Sequence, residues 1–508
     1  MEYTNNNESN PKEEDLDAEE PAFIDINSKD VIEVETNDQE PMEEEPIDAT
    51  KESHTMDTDM EEKVLPPDHS ILTLSTHTDS VYTVALDLEQ DVWMASGGGD
   101  DKAFLHRIVS SNEVPSMNLS ELSSAEGHKD TVTCVAFNTS CLLPNSNQSK
   151  LLAVGCYDGT IQIWTLTSNP PIHSCTLEGP SDIEWISFHP KGGSVLLAGS
   201  TDGTVWMYHI PTQKCLQVFV GHEGDVTCGR FTPDGKFALT AGFDGTVRVW
   251  APRTGLSRHV FRCSELETLG EGGGMAITCL DGKSVAHTSS KGEASVSSLI
   301  LCGGENGVAH ICHVGTKKIL LSLRHAEEER TTSASPMEQE DDFPQDTRSI
   351  EAVGFFEGPE SSGLYNWCAT AGVNGLLKVW DLGNNGSCRQ ICLHESYNST
   401  PLSEKDHETP PPDLAGITRL KWHPSLPLIF TSTTEGTIRL WDARTGNCLT
   451  TLTGGSLEII NDFDIALEND GDNTDPMRNI IVSTASDDGK IRVYKVDIQA
   501  SLEGVGND

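Results

Sequence analysis

The chain has 508 residues, with 80 Asp or Glu against 34 Lys or Arg and a formal net charge of -46. Such a surface repels phosphate backbones and anionic membranes and attracts basic polypeptides, with a steering field that fades as salt rises, so direct nucleic-acid binding and membrane attachment are set aside. No apolar run approaches the ~20 residues that span a bilayer. The opening "MEYTNNNESN" lacks the basic and apolar regions of a secretory leader, so a cytoplasmic location is expected, with the nucleus left open.

In chain order, the first segment is residues 1–67, acidic, with scattered proline and almost no aromatics ("PMEEEPIDAT", "MDTDMEEKVLPPD"). It has too little apolar surface to offset the entropy of ordering, which predicts a disordered tail. An arm that guides a basic partner and a plain solubility tail are equally compatible with this composition. From 68 the pattern changes to short β-branched and aromatic runs between Gly and Asp turns, with no sustained helical period, which reads as all-β.

A unit recurs within that region: "SGGGDDKAFLH", "AVGCYDGTIQIW", "LAGSTDGTVWMY", "TAGFDGTVRVW", "CGGENGVAHIC", "TAGVNGLLKVW", "TSTTEGTIRLW" and "TASDDGKIRVY". The turn residue is Asp100, Asp158, Asp202, Asp244, Asn306, Asn374, Glu435 or Asp488. Six positions later stands His106, Trp164, Tyr208, Trp250, Cys312, Trp380, Trp441 or Tyr494, and in seven of the eight a glycine follows the turn residue. Such pairs between alternating runs favour tight hairpins, because glycine reaches φ > 0 without steric penalty. An apolar strand precedes each hairpin, for example "TVTCVAF", "IEWISF" and "ITRLKW". Polar insertions, such as 281–298 ("DGKSVAHTSSKGEASVSS") and 396–416, separate some units. "SILTLSTH" at 70–77 is placed to supply the outer strand missing after "KIRVYKVD", which would remove an open sheet edge. The fourteen cysteines are scattered, with no CxxC, and read as reduced core thiols; no disulfide, metal or cofactor is expected.

"GHEGDVTCGRFTPDGKFALTAGFDGTVRVW" and "GTIRLWDARTG" resemble WD repeats. The resemblance implies a WD-repeat β-propeller of four-stranded blades, most simply eight of them over 68–496, with 497–508 as a C-terminal tail. At about 54 residues per unit the repeats exceed the ~40–45 of a typical WD unit, the surplus lying in the insertions. One divergent unit in 256–350 leaves seven blades as the alternative.

In WD proteins a histidine before the blade, a hydroxyl four residues before the turn acid, the acid and the tryptophan form one hydrogen-bonded network. Here His222, Thr240, Asp244 and Trp250 match it. Partial sets recur: His77, Ser96 and Asp100 with His106; His128, Asp158 and Trp164 with Val154; and Pro180 in the histidine position of the third unit. A His, an Asp and a hydroxyl are also the materials of nucleophilic catalysis, but that needs one distinctive copy in a pocket, whereas recurrence around a ring points to bracing. No enzyme is expected. "GEGGGM" at 270–275 lacks the Lys-Ser/Thr ending of a P-loop. "HICH" (His310, Cys312, His313) lies on a strand whose alternation sends neighbouring side chains to opposite faces, so it reads as core rather than as a metal site.

Several segments, among them "GGGDDKAFLHR", "DIEWISFHPKGGSVLLAGSTDGTVWMY" and "VTCGRFTPDGKFALTAGFDGTVRVW", are similar to the angio-associated migratory cell protein family, whose yeast member is a dedicated chaperone for a large-subunit ribosomal protein. The resemblance implies a non-catalytic, monomeric escort that captures the N-terminal segment of a newly made basic ribosomal protein for large-subunit assembly. His106 in a slot usually filled by Trp, and the long insertions, depart from that family. Propellers present, on one face, the residue before the turn acid and those opening each inner strand: here Tyr82, Tyr157, Asp182, Glu184, Asp225, Phe243, Glu305, Glu351 and Asp487. Carboxylates pair with Arg and Lys, and aromatics add cation–π contacts of about 0.5–2 kcal/mol each. Two other functions stay open: a substrate receptor of a cullin-RING ubiquitin ligase, since Trp441, Asp442 and Arg444 resemble its WDxR box, and a general signalling or migration scaffold.

Overall fold

The computed structural model describes residues 64–87, 93–108, 115–122, 127–138, 149–263, 275–288, 294–325, 348–358, 363–397, 414–468 and 479–504. The disordered-tail expectation falls on 1–63, outside these residues, except for its last four. Pro67 is tied down: its carbonyl accepts the Thr453 hydroxyl at 2.7 Å.

The repeated turn controls the architecture. The residue after each turn acid is left-handed, with φ between 67° and 80° at Gly159, Gly203, Gly245, Gly307, Gly375, Gly436 and Gly489. In the first unit Asp101 takes that conformation with φ 59°, as short polar side chains tolerate. Each turn folds two strands into an antiparallel hairpin. Blade 4 shows the register: Ala238–Ala241 pairs with Thr246–Trp250 so that Thr240 faces Arg248 and Ala238 faces Trp250.

Eight such hairpins, each with an inner and an outer strand, make eight four-stranded antiparallel sheets among the described residues. The inner strands adjoin one another in a closed ring, that of blade 8 (Ile460–Leu467) meeting that of blade 1 (Val81–Asp87). Closure uses both ends of the propeller. Leu72–Leu74 pairs with Ile491–Val496, Leu72 opposite Val493 and Leu74 opposite Ile491, so the first strand is the outer strand of the last blade.

The divergent stretch forms blade 5 rather than dropping out of the ring. The described part of its polar insertion, 281–288 and 294–298, is strand: Ile277–Thr288 and Ala294–Gly304 pair out to Thr288 and Ala294. Alternating Ser and Val in "SVAHT" and "ASVSS" suit a strand as well as a linker, and the strand pair is anchored sideways. Lys283 donates its Nζ to the carbonyls of Phe356, at 2.6 Å, and Tyr365, while the Tyr365 hydroxyl donates to the Ser284 carbonyl at 2.6 Å.

The core is divided among the blade interfaces. Blades 2 and 3 meet through Ile161, Ile163, Leu196 and Tyr208, blades 4 and 5 through Leu239, Val249, Ile277 and Ile300, and each other neighbouring pair has its own buried cluster. A blade thus buries both faces only when its two neighbours are present, which is why the ring must close. Beyond the last strand, the helix Ile498–Gly504 sets Ile498 fully buried against the interface of blades 7 and 8.

Candidate partner-binding face

The residues that raise the catalytic question are joined in one chain of hydrogen bonds. Trp250 donates its Nε1–H to Thr240 Oγ1 at 2.8 Å, Thr240 Oγ1 lies 2.7 Å from His222 Nε2, and His222 Nδ1 lies 3.1 Å from both Asp244 oxygens. A carboxylate needs a donor, so His222 Nδ1 carries a proton toward Asp244, and Thr240 Oγ1, which accepts from Trp250, can donate to a bare Nε2. Burial alone would raise the Asp244 carboxyl, but bonds from His222 and Thr246 outweigh it and hold the group well below the ordinary range. Every polar atom of the set is used within the blade.

A second such network was not legible in the sequence. His325 Nδ1 lies 2.8 Å from Thr370 Oγ1, Trp380 donates to that oxygen at 2.9 Å, and His325 Nε2 lies 3.2 Å from Asn374 Oδ1. In blade 7, His394 Nε2 and Trp441 Nε1 meet Thr431 Oγ1 at 2.5 and 2.9 Å, while Glu435 turns instead to Ser396. Both histidines lie far from their partners in the chain, across insertions, so adjacency gave no signal. Blade 1 replaces the tryptophan by His106, 3.4 Å from Ser96, which in turn meets His77 at 2.9 Å.

At the mouth of the ring, one position in each blade decides what is offered. The inner strands carry a bulge at their second residue in seven blades, for example between Ile183 and Trp185 and between Ile350 and Ala352. An extra residue on one side of the ladder releases a side chain from the pleat. The bulge residues are Tyr82, Thr133, Glu184, Thr278, Glu351, Thr418 and Asn461, and Thr227 holds the equivalent position just before the inner strand of blade 4. Five of them donate to the next blade: Thr133 to Ile183 O (2.5 Å), Thr227 to Ile277 O (2.5 Å), Thr278 to Ile350 O, Thr418 to Ile460 O (2.7 Å) and Asn461 to Val81 O (3.0 Å). The other three, Tyr82, Glu184 and Glu351, break the pattern.

Those three line a cavity of about 570 Å³ together with Tyr157, Thr133, Thr418, Arg419 and Asn461. Of the nine residues expected on this face, the structure therefore gathers Tyr82, Tyr157, Glu184 and Glu351 around one space. Tyr157 donates its hydroxyl to Glu184 Oε1 at 2.9 Å. The Glu184 carboxyl is pushed up, first by burial and then by the neighbouring Asp225 and Asp182, against the pull of Tyr157. Asp182, Asp225 and Phe243 lie at the adjoining loops of blades 3 and 4, where the Asp225 carbonyl accepts the Phe243 amide at 3.0 Å and the Phe243 ring is 53% exposed. Glu305 is exposed on blade 5. Asp487 is engaged, accepting the Asn461 Nδ2 at 2.7 Å.

Two features of the mouth escaped the sequence reading. Arg419, next to a bulge residue, brings a cation into the cavity, with its Nε 4.0 Å from Asp462. Around blades 1 and 2, Asp79, Asp100, Asp130 and Asp158 all act on Asp101; burial is the largest cause raising its carboxyl and their repulsion adds to it. An Asp in the glycine slot of the turn is the signal that marked this acidic patch.

The remaining candidates lie elsewhere. Arg444 folds back on its own turn, donating Nε and Nη2 to Asp442 at 3.0 and 2.9 Å. In "HICH", His310 meets the Ser322 hydroxyl and His313 that of Thr316, each at 2.9 Å, while Cys312 is fully buried. "GEGGGM" falls on 270–275, of which only Met275 is described.

The family model for the WD domain, G-beta repeat, matches residues 119–165, 171–209, 213–251 and 407–442. The angio-associated migratory cell protein of Canis lupus familiaris is 31% identical over 430 residues, covering 85% of this chain and 80% of the relative. Ribosome assembly protein SQT1 of Saccharomyces cerevisiae is 23% identical over 440 residues, covering 84% of this chain and 87% of that protein. The crystal structure of Chaetomium thermophilum Sqt1 bound to the N-terminus of the ribosomal protein L10 superposes with a TM-score of 0.59 at 17% identity, covering 85% of this chain and all of the other, a likeness of fold.

Proposed function

The chain belongs to the family of the angio-associated migratory cell protein, and on that premise we propose that it is a non-catalytic escort for a basic ribosomal protein of the large subunit. It takes the N-terminal segment of that partner at the mouth of the ring and holds it until assembly. The observation that carries this reading is the break in the bulge pattern. Where five blades use a donor to close the ring, three present Tyr82, Glu184 and Glu351 to one cavity, beside the carboxylates of Asp182 and Asp225. Carboxylates and aromatic faces are the groups that recognise Arg and Lys, and the net charge of -46 steers such a partner inward. The relatives lend support in kind: one is named a ribosome assembly protein, and another was crystallised with a ribosomal-protein N-terminus.

Calorimetry with a synthetic N-terminal segment of the large-subunit ribosomal protein tests this. We expect micromolar or tighter binding at low salt that weakens steeply as salt rises. Reversing Asp182, Glu184 and Asp225 to Lys is expected to weaken it by at least about tenfold, the effect of losing ~1.4 kcal/mol of complementary charge. Unchanged binding by the reversed protein at low salt refutes the proposal.

A further inference from the structure

The three slots that hold histidine, threonine and tryptophan in blade 6 hold cysteines in blade 5. Cys263 follows the outer strand of blade 4 as His325 follows that of blade 5. Each gives its amide to the carbonyl of a turn glycine, Cys263 to Gly245 at 3.1 Å and His325 to Gly307 at 2.8 Å. Cys302 stands four residues before Asn306, as Thr370 stands before Asn374, and Cys312 stands six after it, as Trp380 does. The three sulfurs converge, all within 4.8 Å of one another, with Cys263 and Cys302 3.7 Å apart. All three side chains are buried, walled by Leu239, Val249, Ile277 and Ile300.

Thiols are poor substitutes for the groups they replace. An S–H is a weak donor and sulfur a weak acceptor, so the set cannot pin the loop to its strands as His325, Thr370 and Trp380 do. Three thiolates around one soft cation would make the same three-point tie, linking the loop after blade 4 to the two middle strands of blade 5.

We propose that Cys263, Cys302 and Cys312 form a three-coordinate thiolate site for one soft cation of the monovalent-copper class. Thiolates select such ions. A structural Zn2+ asks for a fourth ligand, and among the described residues no other His, Cys, Asp or Glu joins the cluster. Each ligating thiol gives its proton to solvent, up to three per ion, and no electron is transferred. The ion's own charge offsets the burial of the three thiolates.

The test uses the full chain, reduced and free of oxygen, titrated with Cu+ held by a competing chelator and followed by thiolate-to-metal absorption. One protein-bound ion with a shell of three sulfurs by X-ray absorption is expected. The combined change Cys263→His, Cys302→Thr and Cys312→Trp, which installs the blade 6 residues, is expected to fold and lose the ion. Changing the exposed Cys215, Cys388 and Cys448 to Ser is expected to leave uptake intact. The site is refuted if the first variant still takes up the ion, if the shell contains nitrogen or oxygen, or if the isolated protein carries a Cys263–Cys302 disulfide and takes up none. Should the first variant not fold, the sulfur shell of the unaltered protein decides between these outcomes.

Discussion

Blades 4 and 2 share one set of slots and differ in a single hydroxyl. In blade 4 the Thr240 oxygen joins Trp250 at 2.8 Å to His222 at 2.7 Å. In blade 2 Val154 stands in its place, and both ring nitrogens of His128 and the Nε1 of Trp164, all buried, find no hydrogen-bond partner among the described residues. The blade forms nonetheless, because Val154, Leu152 and Trp164 still pack against Ala85, Leu105 and Leu119 of blade 1. Apolar burial between blades makes the ring, and the polar network adds local anchorage to it. A buried donor or acceptor without a partner costs about 1–3 kcal/mol, so the difference between the two blades is open to measurement.

The sharpest way to break this contrast is to impose the blade 2 condition on blade 4. Thr240→Val strands His222 Nε2 and Trp250 Nε1 together and is expected to destabilise the protein by about 2–4 kcal/mol in equilibrium urea unfolding. A loss under about 0.5 kcal/mol, the size of an ordinary surface change, would show that the network contributes little.

Acid is expected to expose the weak blade next. Burial pushes the His128 imidazole down to about 4. Its folded value lies below the unfolded one, so between about pH 6.5 and 4 the unfolded chain takes up a proton that the native state refuses, and stability falls as pH falls through that window. His106, at about 3, and His325 and His423, each at about 4, act in the same direction for the same reason. His128→Phe is expected to flatten the fall in melting temperature over that window, and an unchanged profile would exclude His128 as a contributor.

The reverse repair is smaller. Val154→Thr supplies the missing hydroxyl to His128 and Trp164 and is expected to stabilise by about 1 kcal/mol, the net worth of a hydrogen bond. Destabilisation would mean that blade 2 has repacked around the valine.

The smallest effect on stability belongs to the mouth. Burial raises the Glu184 carboxyl, with Asp225 and Asp182 adding to it. The native state thus retains a proton that the unfolded chain releases, and stability declines as pH rises through the interval between the two values. Glu184→Gln removes that strain. The free protein should melt slightly higher at neutral pH while binding of a basic peptide weakens, and a loss in both would mark Glu184 as part of the frame.

Much of this was readable along the chain, for a physical reason. A tight turn that needs φ > 0 and a strand pair of fixed length are local requirements, so they repeat at constant spacing, and the eight turn residues announce eight blades. The closing strand Leu72–Leu74 was legible because an edge left open after Val496 needs covering. Of the mouth, Tyr82, Tyr157, Glu184 and Glu351 could be named from their place in the repeat.

Other features depend on what the closed ring brings together. His325 reaches Thr370 only after a 45-residue excursion, and Cys263 meets Cys302 from 39 residues away. Thr133, Thr278, Thr418 and Asn461 become donors through bulges, and they and Thr227 through the carbonyl of the next blade, neither of which leaves a mark in composition. The polar stretches 281–288 and 294–298 extend a strand pair because Phe356 and Tyr365 receive it. Turn chemistry acts between neighbours in the chain and can be read there. Networks, cavities and convergent thiols act between blades, and exist only once burial at eight interfaces has closed the ring.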